Sequence, residues 1–518
     1  MSTKHIYVIS DLHLGGAPEV NGISFQLCPP KSRCRLARFI RYITTAHRDG
    51  STQLVINGDF IDFLAEERIS SPSTPTIGDP EKYQTDAFTT SQDEAVTKLE
   101  RVIKQTDEGA MDGERVFDAL RTFLAQGCRL TLLIGNHDIE LSFPAVRRKL
   151  FSELGAGPAQ IEFLYDGEAL TFDGVLIEHG NRYDGWNAIS HGSLRAYRSA
   201  ASRGETHVTF QPPPGSQLVA NIMNPLKRRY RFIDLVKPEN EALIPILAAL
   251  EPDCLTSIND IVELLPQKIK AQTKAGKVPQ NESFVASTAE RSVSTNKNVL
   301  ADSSLRNLEE DALDDSVYQR TKTLLDQSFK QWAPKKGRVS ESESLVASWS
   351  VHWLTSARSL WHLAQQFGSS ELNARLQRLR QALLLHKETI ATTFDLVTED
   401  PFYSLAARRL AGDNGIIVFG HTHIPKCIAF NNGYYLNSGT WCPTVRLPSE
   451  FYDSAISDGE ILPLLKDFIT DLATNDTDRW CTLQTTFVKI TLDRDGASAM
   501  LCEFSTDNEI VNLASTHG

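Results

Sequence analysis

The chain has 518 residues, enough for one large elaborated domain or about two or three ordinary ones. With 41% hydrophobic and 23% charged residues it has the composition of a soluble globular protein, and no apolar run approaches the roughly 20 residues that cross a bilayer. A net charge of −12 argues against broad, non-specific binding of nucleic acid, which needs clustered Lys and Arg.

The N-terminus enters an apolar run at 6–9 almost at once, so no signal peptide is expected. The eight Cys are scattered without a CxxC pair, which suits reduced thiols and a cytoplasmic location. The run 6–9 reads as a buried strand and is followed by Asp11-Leu12-His13. The stretch 33–45 carries Leu36, Phe39, Ile40 and Ile43 at helical spacing. A second strand, 54–56, leads into Gly58-Asp59-Phe60-Ile61-Asp62. A Ser/Thr/Pro-rich stretch at 70–80 reads as a loop beside that turn. After a helical pattern at 116–124, the strand 130–134 ends in Gly135-Asn136-His137-Asp138, and the pair 176–177 ends in His179-Gly180-Asn181. Strands alternating with helices imply an α/β fold.

From 186 to 401 strand signals fade and helical stretches dominate, notably 340–367 and 371–392, with a polar linker at 268–315. Val219 to Val236 mixes apolar residues with Lys227, Arg228, Arg229 and Arg231. That stretch reads first as a helix docked on the core, and second as a surface for a membrane or an anionic substrate. The α/β pattern returns with the strand 416–419 and Gly420-His421-Thr422-His423. A hairpin at 427–436, turning at Asn432-Gly433, and two closing strands at 487–492 and 499–504 complete it. The expected organisation is a core in two parts, 1–185 and 402–518, interrupted by a mostly helical insertion at 186–401.

Asp11-Leu12-His13 or Gly58-Asp59 alone is more often a strand-end turn than a ligand set, and Gly135-Asn136 alone suggests a turn. Gly420-His421-Thr422-His423 is stronger, since two His at i, i+2 after a buried strand are rarely needed for packing. Five in one chain, all built from Asp, Asn and His, point to a metal centre. Two divalent cations held close together can grip both the attacking and the leaving oxygen of a phosphoryl transfer. Such a centre needs Asp, Asn and His donors and one carboxylate able to bridge.

The blocks DxH, GDxxD, GNHD, HG and GHTH, in this order, resemble those of the calcineurin-like metallophosphoesterase superfamily. The resemblance implies an α/β fold of two packed mixed β-sheets flanked by helices. It also implies a first metal held by Asp11, His13 and His423, and a second held by Asn136, His179 and His421. Asp59 would bridge the two. His137 would protonate the leaving group or hold the phosphate, and Asp62 would fix its tautomer. The cofactors implied are two divalent metal ions, manganese first and iron or zinc as alternatives.

The expected function is therefore hydrolysis of a phosphoester by a phosphodiesterase or phosphatase. The alternatives are a nuclease acting on DNA or RNA with a partner, and a scaffold that binds a protein partner through the helical insertion. Protein serine/threonine phosphatases usually place Arg-Gly after the GDxxD aspartate, and this chain has Phe63-Leu64. Arg182, Tyr183, Asp184, Trp186 and His191 follow the HG block and are candidate substrate contacts. The segment from Asn437 to Trp441 is expected to support the site, and Asp138 to support its own turn.

Overall fold

The computed structural model describes residues 3–20, 23–46, 52–65, 91–185, 187–205, 208, 210–213, 215–216, 219–250, 372–412, 415–494 and 496–516. The expectations for the loop at 70–80, the linker at 268–315, the helix at 340–367 and Trp186 fall outside these residues.

The strands, in chain order, are β1 (Lys4–Ile9), β2 (Ala17–Val20), β3 (Ile23–Phe25), β4 (Thr52–Asn57), β5 (Arg129–Leu133), β6 (Ile161–Leu164), β7 (Leu170–Phe172) and β8 (Val175–Ile177). They continue as β9 (Ile416–Phe419), β10 (Lys426–Phe430), β11 (Gly433–Asn437), β12 (Pro443–Val445), β13 (Cys481–Leu483), β14 (Thr486–Asp493), β15 (Gly496–Phe504) and β16 (Ile510–Ser515). The fold is α/β with two mixed sheets. One has seven strands in the order β16-β15-β14-β1-β4-β5-β6, and the other five in the order β10-β11-β9-β8-β7. β1, β4, β5 and β6 run parallel, as do β8, β9 and β11.

Both faces of the central strands are apolar, as parallel strands covered on two sides require. In β1, Ile6 and Val8 point one way and Tyr7 and Ile9 the other, following the period of two along a strand. Ile6, Val8, Val55 and Leu133 meet Ile177, Val418 and Leu436 of the second sheet, so the sheets pack face to face. Tyr7, Ile9, Leu54 and Ile56 pack outward on Leu36, Phe39 and Ile40 of the helix Pro30–Ala46, and on Phe117 and Leu120 of the helix Val116–Ala125. Behind the second sheet, Leu176, Ile417 and Phe419 pack on Tyr403, Ala406 and Ala407 of the helix Pro401–Leu410. The layers are thus helix, sheet, sheet, helix.

The described part of 186–401 contains no extended strand; its only pairing there is a single bridge from Val236 to Val445. Its apolar residues do not form a core of their own. Leu226, Phe232, Ile246, Leu247, Leu376 and Leu379 join the core outside the first sheet, with Phe468 and Leu472 of the helix Asp458–Ala473. The basic stretch therefore docks on the protein. Its Lys227 is buried and paired with Asp234. No helix among the described residues is long and apolar enough to cross a membrane.

Two local expectations shift. The single helix expected at 371–392 is two, Leu372–Leu385 and Lys387–Thr392, separated at His386 with φ −103° and ψ 17°. No Gly or Pro marks that break. The hairpin turns one residue early: Phe430 pairs with Gly433, leaving Asn431 and Asn432 in the turn. Gly433 is needed in the strand itself, because a Cβ there would lie 2.3 Å from the carbonyl oxygen of Gly415. Gly433→Ala should lower the unfolding free energy in urea titration by about 1–3 kcal/mol, the usual cost of overpacking; an unchanged midpoint would show that this close approach is relaxed.

Candidate metal centre

Parallel strands end on the same side of a sheet, and that side is where α/β proteins place ligands. β1, β4 and β5 deliver Asp11-Leu12-His13, Asp59 to Asp62, and Asn136-His137 from the first sheet. β8 and β9 deliver His179, His421 and His423 from the second. Backbone bonds lock the turns together. The amides of Leu12 and His13 both donate to the Asp59 carbonyl at 2.9 Å, and the Gly420 amide donates to the His179 carbonyl at 2.9 Å. Across the two sheets, the His421 amide donates to Asp11 Oδ2 at 2.9 Å.

These turns are tight enough to force the backbone. Asp11, His13, Asp59, His421 and His423 have φ of 54°, 43°, 50°, 69° and 61°. A non-glycine residue there costs free energy, of order 1 kcal/mol or more each, and such strain gathers at functional sites. The space between the turns is equally small. A Cβ on Gly135 would lie 2.1 Å from Asp59 Oδ1, and one on Gly420 would lie 2.7 Å from Asp11 Oδ2.

The side chains form three groups with potential metal-ligating atoms close together: Asp11, His13 and His423; Asp59, His179 and His421; and His13, Asp62 and His137, of which the first two hold the expected ligands. His13 Nε2 and His423 Nε2 are 3.0 Å apart, and His423 Nε2 is 3.4 Å from Asp11 Oδ1. Asp59 Oδ2 lies 3.3 Å from His179 Nε2 and 3.8 Å from His13 Nε2, so the carboxylate stands between the two groups. Asp11 Oδ1, Asn136 Oδ1 and His179 Nε2 are buried without a hydrogen-bond partner. An orphaned buried acceptor costs about 1–3 kcal/mol. Three of them around one carboxylate, with two ring nitrogens facing each other, fit a donor set for cations. This donor chemistry, O and imidazole N without thiolate, suits manganese, iron or zinc.

A second layer of residues fixes the rings. His179 Nδ1 donates to the Asn57 carbonyl at 2.7 Å, which leaves Nε2 as the donor nitrogen. His421 Nε2 lies 3.1 Å from Asp184 Oδ2, which leaves Nδ1 for a cation. Asp184 Oδ2 also accepts from Asn187 Nδ2 at 2.6 Å, and Asn187 Oδ1 accepts from Asn136 Nδ2 at 3.3 Å. One carboxylate thereby orients His421 directly and Asn136 through Asn187, turning the Asn136 carbonyl oxygen inward. His137 Nδ1 lies 3.0 Å from Asp62 Oδ1, which leaves Nε2 for chemistry. Asp138 accepts from the amides of Gly135 at 2.6 Å and Phe60 at 2.8 Å, tying the β4 and β5 turns together.

Burial opposes charge on the carboxylates here, but the histidines overcome it. His179, His137 and His13 hold Asp59 well below the usual carboxylate range. His423 brings Asp11 to about 2, and His137 brings Asp62 to about 2. The same pairings raise the histidines against burial, His179 to about 10 through Asp59 and His137 to about 9 through Asp59 and Asp62. His13 is lowered to about 4 by burial and by His137. Burial and Asp59 push Asp138 up to about 7. The centre thus pairs its carboxylates with protons on histidines, and a cation would take the place of such a proton.

All seven expected ligands and the His137–Asp62 pair come together. Of the described candidate substrate contacts after His179, Asp184 lines the same cavity as the donors and the other three have different neighbours. Arg182 donates to the Gly167 carbonyl and lies 3.5 Å from Glu178 Oε2, while Tyr183 donates to Glu178. His191 borders a smaller cavity of about 90 Å³ that Arg182 and His179 also line, and Asp184 meets His421. The Asn437–Thr440 segment braces the turns: Asn437 Nδ2 donates to the Gly420 carbonyl at 2.7 Å and Thr440 Oγ1 to the Asp11 carbonyl at 2.7 Å. Sequence reasoning missed Asn57 and Asn187. A buried Asn closing a strand before Gly58 was the one available signal for the first.

Two measurements check this centre. Because His179 holds its proton up to about pH 10, a cation must displace it near neutral pH. Manganese titrated calorimetrically in buffers of different ionisation enthalpy should release protons and bind more weakly as pH falls; binding without proton release would contradict the assignment. Asp184→Ala should weaken one of two cation sites by about 10–100-fold and spare the other. Equal weakening of both, or of neither, would remove Asp184 from this role.

No protein-family model matches this chain and no curated protein matches it, so the centre's chemistry rests on its donors and their geometry.

Proposed function

We propose that this protein is a metal-dependent hydrolase of phosphoester bonds that works with two divalent cations. The observation that carries this reading is Asp59 standing between two donor groups, with the orphaned Asp11 Oδ1, Asn136 Oδ1 and His179 Nε2 around it. Asp11, His13 and His423 would hold one cation, and Asn136, His179 and His421 the other. Bound there, the cations would supply Lewis acidity and positive charge for the phosphoryl group.

The protein's own residues do the rest. Asp59 keeps the two groups in register. His13, Asp59, Asn136, His137, His421 and His423 line a cavity of about 1220 Å³, so a substrate phosphate can reach them. Asp62 holds Nδ1 of His137 and keeps its ring protonated and oriented, ready to give the Nε2 proton to the departing alkoxide. Asp184 and Asn187 keep the ligands of the second group turned inward.

Hydrolysis of p-nitrophenyl phosphate and bis-p-nitrophenyl phosphate, with added Mn²⁺ and with chelator, is the direct test. Metal-dependent turnover is expected, and the ratio of the two rates sorts phosphatase from phosphodiesterase. No turnover on either, with two metals bound, would count against this reading. In His137→Ala, kcat should fall about 10²–10⁴-fold while metal content stays at the wild-type level. Unchanged turnover would take His137 out of the acid role.

A further inference from the structure

The cavity over the candidate metal centre has a wall whose character phosphoester hydrolysis does not itself require. Beyond the donor cluster and Asp184, its carboxylates are Asp234, Glu239, Glu241, Glu388, Glu399 and Asp400. Among the described lining residues there are three lysines and no arginine. Two of those lysines are already engaged. Lys237 pairs with Glu239, and Lys426 donates to the carbonyls of Thr393 at 3.0 Å and Asp395 at 2.6 Å. Lys387 starts a helix and is solvent-exposed. Some carboxylates are committed too: Asp234 to Lys227, Glu399 to Arg408, and Asp400 to the amides of Phe402 and Tyr403. Among the described lining residues Lys387 is the only lysine not so engaged, so this wall carries more carboxylate than free positive charge.

The same wall is apolar over a long stretch. Val219, Leu226, Ile233, Leu243, Ile244 and Leu247 all face the cavity, contributed by one part of the chain. A second phosphate lodged there would lose its hydration and meet carboxylates in place of cations. An uncharged organic group would bury apolar surface instead.

We propose that the cavity takes a phosphoester with a single phosphate joined to an uncharged, apolar organic group, and disfavours polyphosphates and nucleic-acid strands. This rests on the phosphoesterase reading: the phosphate goes to the metal centre and the organic group lies along the apolar wall.

The test is binding of a methyl- to octylphosphonate series to the full-length, Mn²⁺-loaded protein, measured calorimetrically beside an oligothymidylate. Affinity should rise roughly threefold to fourfold per added methylene until the wall is filled. The oligothymidylate should bind more weakly than octylphosphonate. In Ile244→Asn, at a half-buried position, the gain per methylene should shrink. A flat series, or tighter binding of the oligothymidylate, overturns the proposal while leaving the metal centre in place. Failure of methylphosphonate itself to bind the loaded protein would overturn the phosphoesterase reading, and this proposal with it.

Discussion

Four chain segments depend on the position of one residue, Asp59. Its carbonyl accepts the amides of Leu12 and His13, which holds the β1 turn against the β4 turn. Its Oδ1 accepts the His137 amide at 2.9 Å, which holds the β5 turn. Its Oδ2 faces His179 from the second sheet and His13 from the first. A buried carboxylate is expensive unless opposite charge surrounds it. The histidines supply that charge as protons, and cations would supply it more strongly. The centre is therefore not an ornament on a finished fold. The two sheets meet where this charge has to be balanced.

That balance has a structural cost. Five of the candidate ligand residues sit at positive φ, and three candidate donor atoms are buried without hydrogen bonds. Strain of this size persists only when the surroundings over-determine it. The inter-sheet core of Ile6, Val8, Val55, Ile177, Val418 and Leu436 fixes the strand ends, and the turns have no slack between them. Asn437, Ser438 and Thr440 then clamp the β1 and β9 turns: Ser438 Oγ lies 2.7 Å from Ser10 Oγ, and Thr440 holds the Asp11 carbonyl. Rigid sheets make the unfavourable turns affordable.

Those same constraints explain what could be read from the sequence. A parallel strand covered on both faces must be a short apolar run, and a ligand turn must follow it directly, so β1, β4, β5, β8 and β9 and their turns stand out as motifs. The second layer leaves no such mark. Asp184 orients two ligands through contacts with His421 and Asn187, and nothing local in the sequence separates that task from touching substrate. The hairpin turn shifted because Gly433 is required by a neighbour distant in sequence, the Gly415 backbone, and not by the turn itself. The charged run around Lys227 left a docked helix and a binding surface both open, because its partner, Asp234, becomes relevant only once the chain folds back. In each case the deciding contact is tertiary.

The division between what was legible and what was not follows the division of labour in the molecule. Metal chemistry uses few residue types at fixed spacing, so it writes a strong pattern and says little about the substrate. Substrate selection would fall to the rest of the cavity, where Val219, Leu226, Ile233, Leu243, Ile244, Leu247 and the helix Lys387–Thr392 line the same space as the donors. That wall shares its core with the helices outside the first sheet. Among the described residues, its apolar stretch and its excess of carboxylates over free lysine would bear on any ligand that reaches Asp59.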